Sequence, residues 1–397
     1  MSKPLFYISL LPFIMVLGNS MMIPILPDMQ SELHLTEKES GYILSFFSFP
    51  AAIIIPFIGF LSDRFGRKIL ILLSLFFVIG GSVLCAVSIW FPHPFIWLLI
   101  GRVIQGIGAA GTTPLAMAII GDAVDRTRQG EAFGLLEVFN GVGKVVAPIV
   151  GATAAAIYNW NLAFVFVIIV TVLSLVGIFK TIPNKKSGNQ VNSIRNYLQD
   201  LIYVLKSKWL EIFPLFYMGA VGLFLLFGIL FYLSYYIEMT YHIDGFFKGT
   251  AFMFPLAAMT IVSYWTGKQL KNSGNFQSLT LIGISVMMVS FAGMEWNHSF
   301  HFFLFFLTIA FAGLGFILPC MNTAITSQVS DGERGFIVGL YGTARFIGVA
   351  LGPTIFSIWI DDVGYMIRIV FILSFSMLLA FIFHQLIMKE TQPYLQK

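Results

Sequence analysis

The chain has 397 residues, of which 58% are hydrophobic and only 11% charged, with a net charge of +4. A water-soluble globule carries about a quarter of its residues as charges, so this composition excludes a soluble enzyme or a nucleic-acid-binding module and makes the bilayer the solvent. Cys85 and Cys320 are too few and too far apart to frame disulfides or hold a metal.

A hydrocarbon core about 30 Å thick takes roughly 20 apolar residues per helical crossing. Twelve such windows follow one another, at about 5–27, 41–62, 69–90, 95–120, 131–156, 160–182, 209–237, 248–268, 277–295, 300–328, 335–360 and 364–388. A membrane barrel would instead alternate in strands of about ten residues. The first window follows a lone Lys3 and stays apolar to Pro27, so it is expected as a spanning helix and not a cleaved signal. Its one strongly polar residue at depth is Asn19.

Between helices 2 and 3 stands GFLSDRFGRK, residues 59–68, with Gly59 and Gly66 for close approach, Asp63 able to pair, and Arg64, Arg67 and Lys68 anchoring the turn. Helix 4 holds GRVIQGIGAAG, with Arg102, Gln105 and Gly106. Helix 5 holds GVGKVVAPIVGA, in which Gly141, Gly143, Ala147 and Gly151 offer small faces and Pro148 bends the helix. The only long polar stretch, residues 183–208, divides the chain into a 1–182 bundle and a 209–397 bundle. Within it, Ile194, Leu198, Leu201, Ile202 and Leu205 recur at helical spacing, which predicts an amphipathic helix on the cytoplasmic membrane face. Shifting the second half by 205 residues superposes Gly108 on Gly313, Pro114 on Pro319, Gly143 on Gly348 and Pro148 on Pro353, so the halves read as a duplication. Of the 23 Lys and Arg, Arg102, Lys144 and Arg345 fall inside helices and Lys38, Lys248 and Arg368 on the outer side. The remainder line the cytoplasmic side if both termini lie there, which sets the expected orientation in a plasma (inner) membrane.

The 59–68 turn resembles motif A of the major facilitator superfamily, the helix 4 segment resembles its motif B, and the helix 5 segment resembles motif C, with Ala147-Pro148 standing for the usual Gly-Pro and Gly151-Ala152 for Gly-Gly. The resemblance covers the chain and points to the twelve-helix drug:proton antiporters. It implies an all-α membrane protein with two pseudo-symmetric six-helix bundles, no enzymatic activity, no cofactor or metal, and a monomer. The partners it implies are the lipid bilayer, protons and a small-molecule substrate, with no nucleic acid. Many relatives of this type carry an acid in helix 1, where this chain has Asn19.

Charge near a bilayer centre costs roughly 2.5–3.5 kcal/mol on insertion scales and is expected to face protein or water. Glu137, Gly141, Lys144, Pro148 and Gly151 recur every three or four residues, on what reads as one inward face of helix 5. Glu137 and Lys144 stand about 10.5 Å apart along the axis. A carboxylate whose distance to a cation alternates between two states binds and releases a proton, so Glu137, Lys144 and Arg102 are the expected coupling groups. Asn19, Glu137, Asn140, Lys144, Tyr232, Tyr236, Tyr341 and Arg345 are the expected cavity lining. The embedded charge is net positive, which suits neutral, zwitterionic or anionic amphiphiles better than dications. Three readings stay open: a proton-coupled exporter of drug-like amphiphiles, a dedicated exporter or flippase of an endogenous anionic or zwitterionic amphiphile such as a lipid or siderophore, and a nutrient:proton symporter.

Overall fold

Proline punctuates the first crossing without ending it. Pro24 and Pro27 remove two main-chain donors, so the helix tightens into a 3-10 turn at Ile23–Ile25, yet each proline sits where its fixed φ starts the next turns. Helix α1 therefore runs Lys3–Leu33, past the expected end at 27, until His34 adopts a left-handed φ of 53°. A Thr36–Glu39 capping box starts α2, Glu37–Phe65. Gly66, at φ 89°, makes the sharp turn into α3, Arg67–Trp90.

The remaining helices are α4 Pro94–Ala123, α5 Arg126–Ile157, α6 Leu162–Thr181, α7 Ile194–Tyr241, α8 Gly245–Ser273, α9 Phe276–Met294, α10 Phe300–Ser327, α11 Asp331–Phe356 and α12 Val363–Thr391. This computed structural model describes residues 3–124, 126–183, 194–273, 275–296, 299–327 and 331–391, all in helices and short connections. Among them, eleven helices are long and apolar enough to cross a membrane. With α11 packed along α7 and α2, they make twelve helices. Twelve crossings put both ends of the chain on one side, termed proximal below, and the opposite side is distal.

The segment between the halves departs from expectation. Residues 184–193 lie outside the described residues, and 194–208 do not form a separate surface helix. No Gly or Pro intervenes before Pro214, so they join α7 as one helix of 48 residues. At 1.5 Å per residue that is about 72 Å, more than twice the hydrocarbon thickness, so the amphipathic turns form a proximal extension of α7.

The duplication is realised in packing. Gly108 lets α4 lie on α3 at Ser74 and Val78, and Gly313 lets α10 lie on α9 at Gly283 and Met287. Gly143 brings α5 against Phe13 and Val16 of α1, and its counterpart Gly348 brings α11 against the main chain of Ala220 on α7. In each pair both the glycine and its contact repeat along the chain.

The halves meet along two seams related by the same symmetry. Along α2 and α11, Ser45 Oγ donates to the Ala350 carbonyl at 2.5 Å, Thr343 Oγ1 donates to the Ala52 carbonyl at 2.7 Å, and Gly41 faces Pro353 and Thr354. Along α5 and α8, Gly141 faces Thr260, and Gly249 faces Pro148 and Ile149. The inward face of helix 5 is thus split in two. Gly141 serves α8, whereas Gly143 and Gly151 serve α1, because ten residues at 100° each leave Gly151 about 80° from Gly141.

Candidate functional site

Four polar centres lie in or beside the helices. The first is central, on α5 and α11. Lys144 lies half-buried midway along α5, and the charges acting on its ammonium are Glu137 and Arg345. The α11 guanidinium thus acts on the Lys144 ammonium of α5. Asn140 lies one turn proximal of Lys144, and Glu137 is exposed one turn proximal of Gly141.

Arg345 holds its guanidinium 5.5 Å from the centre of the Tyr341 ring. Its buried Nε has no hydrogen-bond partner among the described residues, and neither has the buried hydroxyl of Tyr341. Tyr341 is 3% exposed, wedged between Gly219 and Phe216 of α7. Of the tyrosines expected to line a cavity it alone stands beside the central charges. Tyr232 is fully buried, with its ring stacked on Tyr236 and tilted on Phe303. Both belong to a distal cluster with Tyr241, in the last ten residues of α7.

The second centre is Arg102, fully buried on α4. It donates from Nε to the Ile43 carbonyl at 2.8 Å, and from Nη1 to the Gly18 carbonyl and Gln105 Oε1, both at 2.5 Å. Its Nη2 donates to Asn19 Oδ1 at 3.3 Å. The guanidinium lies 4.5 Å from the centre of the Phe47 ring. Gln105 donates on to Ser82, and Asn19 to Ser48. Gly106 completes the centre, because a Cβ there would meet the Phe47 carbonyl. Arg102, Asn19 and Gln105 therefore tie α1, α2, α3 and α4 together within the first bundle, and among the described residues no hydrogen bond or ion pair joins them to Glu137 or Lys144. Five N–H donors in a planar fork suit a junction of several helices, which the one-dimensional spacing could not distinguish from a coupling role.

The third centre is the 59–68 turn. The sequence leaves Asp63 able to pair with a neighbouring helix. Arg67 instead forms an ion pair with Asp122 at the end of α4 and donates to the Ala118 carbonyl, while Asp63 is exposed. An N–H fork directed at a helix C-terminus meets both a carbonyl and a carboxylate there. Lys68 does the same at α6, donating to the carbonyls of Phe179 at 2.9 Å and Ile182 at 2.5 Å. Arg64 stays at the surface, 5.8 Å from the centre of the Phe65 ring. The turn clasps α4 and α6, and Gly59 has open space where a Cβ would stand. Asp122 went unnoticed in the sequence because its only signal is position in the last turn of an apolar helix.

The fourth centre was not expected. The sequence places Lys248 on the outer side, yet it is 1% exposed and ion-paired with Glu238 at the distal ends of α8 and α7. Among the described residues no group of His, Cys, Asp and Glu could hold a metal.

Residues 8–353 and 278–394 match the family model described as the Major Facilitator Superfamily. The chain is 35% identical to a bacillibactin exporter of Bacillus subtilis, over 94% of this chain and 92% of that protein. It is 26% identical to multidrug resistance protein 1 of the same organism, over 89% of each. Among solved structures it resembles a D-xylose-proton symporter, with a TM-score of 0.77 at 14% identity over 95% of this chain and 96% of that one. That likeness bears on the fold alone.

Proposed function

The chain belongs to the major facilitator superfamily, as a multi-pass membrane transporter of small molecules, and on that premise we propose that it exports an anionic or zwitterionic amphiphile in exchange for protons. The observation that carries this reading is Arg345, whose buried Nε lacks a partner among the described residues beside the equally unpartnered Tyr341 hydroxyl, in the field of Lys144. A buried donor without an acceptor is costly, and a carboxylate or phenolate on the cargo supplies that acceptor with charge. Arginine keeps its proton, so Arg345 is the fixed charge and Lys144 the adjustable one.

Glu137, the carboxylate acting on Lys144, is the proton carrier in this proposal, with Asn140 and Lys144 beside it on the cavity wall. The two seams act as bearings on which the bundles 1–182 and 209–397 rock, joined by the 183–208 connection. Orientation follows the basic residues, with termini and proximal ends cytoplasmic in a plasma membrane, and the monomer is the working unit. Similarity to a bacillibactin exporter supports a dedicated endogenous cargo such as a siderophore. Similarity to a multidrug resistance protein supports the second reading, a broad drug range.

The test is binding to purified protein, read by thermal stabilisation over catecholate acids, zwitterionic lipids and cationic dyes. Arg345→Ala should weaken the acids about tenfold or more, equivalent to 1.4 kcal/mol, and leave the dyes unchanged or improved. Equal losses for both charge types would refute the anionic site.

A further inference from the structure

At the distal end a group of charges straddles the two bundles and has no part in the export reading. Lys248 at the start of α8 is committed to Glu238 of α7. Asp28, half-buried on the distal turns of α1, feels those two charges together with Glu32 of its own helix and Asp244 of the α7–α8 connection. Four carboxylates thus share one ammonium. Glu32 is satisfied by Asn159 Nδ2 at 3.0 Å and Trp160 Nε1 at 2.7 Å. The Asp28 carboxylate has no hydrogen bond or ion pair among the described residues.

The distal ends are closed around this group. Gly249 packs on Pro148 and Ile149, Gly245 on Ala156, and Gly41 on Thr354. On the distal turns of α1, α5 and α7, Gln30 Oε1, Thr153 Oγ1 and Ser234 Oγ are buried without partners among the described residues. Closure therefore removes polar atoms from water and returns nothing, so this surface is built to be wet when the mouth opens.

We propose that Asp28 is a proton-binding site that controls this mouth, exchanging its proton with the external solution. Closure brings Asp28 toward Glu238 and Asp244 when Lys248, the ammonium acting on it, is already paired. A proton on Asp28 removes that repulsion, and hydration on opening releases it as Asp28–COO⁻ and H⁺. External acid thereby closes the mouth and returns the empty carrier inward, the step an exporter needs once its cargo has left. The inference rests on the orientation proposed above, and not on the cargo or on Glu137.

The experiment uses the full chain in proteoliposomes, with Cys85 and Cys320 replaced by Ala and a reporter cysteine at half-buried Thr153, whose hydroxyl oxygen is buried. Labelling by a membrane-impermeant maleimide is divided by that of a Tyr158→Cys control, which is exposed and so corrects for thiol chemistry. The ratio should rise with external pH, by up to about tenfold per pH unit for one proton. Asp28→Asn should keep it low and flat, and Glu238→Gln, which frees Lys248 for Asp28, should move the transition to more acidic pH. A Glu137→Gln background should leave the response intact. The proposal is overturned if Asp28→Asn follows the parent pH profile or labels faster at every pH, if Glu238→Gln leaves the transition in place, or if the response disappears with Glu137.

Discussion

An Arg102→Met protein keeps the apolar stem of the side chain but withdraws the hydrogen bonds to Gly18, Asn19, Ile43 and Gln105. The Gly18 carbonyl is left unmet, because the N–H groups of Met21 and Met22 donate to Leu17 and Asn19 where the helix tightens, whereas the Ile43 carbonyl, inside α2, retains its helical donor. Gln105 Oε1 and Asn19 Oδ1 are left unmet as well, and a buried acceptor in that state costs about 1–3 kcal/mol. Loss of the guanidinium over Phe47 adds up to about 2 kcal/mol for a desolvated pair. Removing a buried cation offsets part of this, so the net loss should be about 2–5 kcal/mol. Arg102→Lys should not rescue it, because an ammonium has three donors on a flexible stem and cannot meet acceptors on α1, α2 and α4 together. Thermal unfolding in detergent measures the loss, and proton-driven export by the folded fraction in proteoliposomes measures coupling. We expect lowered stability with coupling intact in the molecules that fold. An unchanged unfolding midpoint with coupling lost would refute the packing argument and return Arg102 to the proton path.

Glu137→Gln should abolish export driven by a pH gradient while cargo binding to purified protein persists; full coupled transport in this variant would move the proton carrier elsewhere. Arg67 and Asp122, with side chains 28% and 56% exposed, should contribute less than about 1 kcal/mol to stability. If their pairing serves the motion of α4, Arg67→Gln and Asp122→Asn should slow transport equally and the double variant no further, with Asp63→Asn milder. Additive losses would show that the two residues act apart.

The sequence by itself determined the solvent, the number of crossings and the duplication, because each rests on quantities that survive projection onto one dimension. Apolar run length against bilayer thickness yields twelve helices, and a repeated glycine marks a repeated close approach, as Gly143 and Gly348 do. It also located the three embedded cations, since a charge inside an apolar run stands out wherever its side chain points. Partnership was decided only by tertiary structure. Arg102, Lys144 and Arg345 look alike as isolated charges, yet one is enclosed by acceptors from three helices while another is left with an unmet donor. Lys248 looked solvated because it stands at a helix end on the outer side, and whether a helix end meets water or the other bundle depends on how the halves lean together. Arg67 could have paired with Asp63, four residues away, or with Asp122, a whole helical hairpin away. The second was chosen because α4 ends beside the turn, a fact about packing that no local spacing contains.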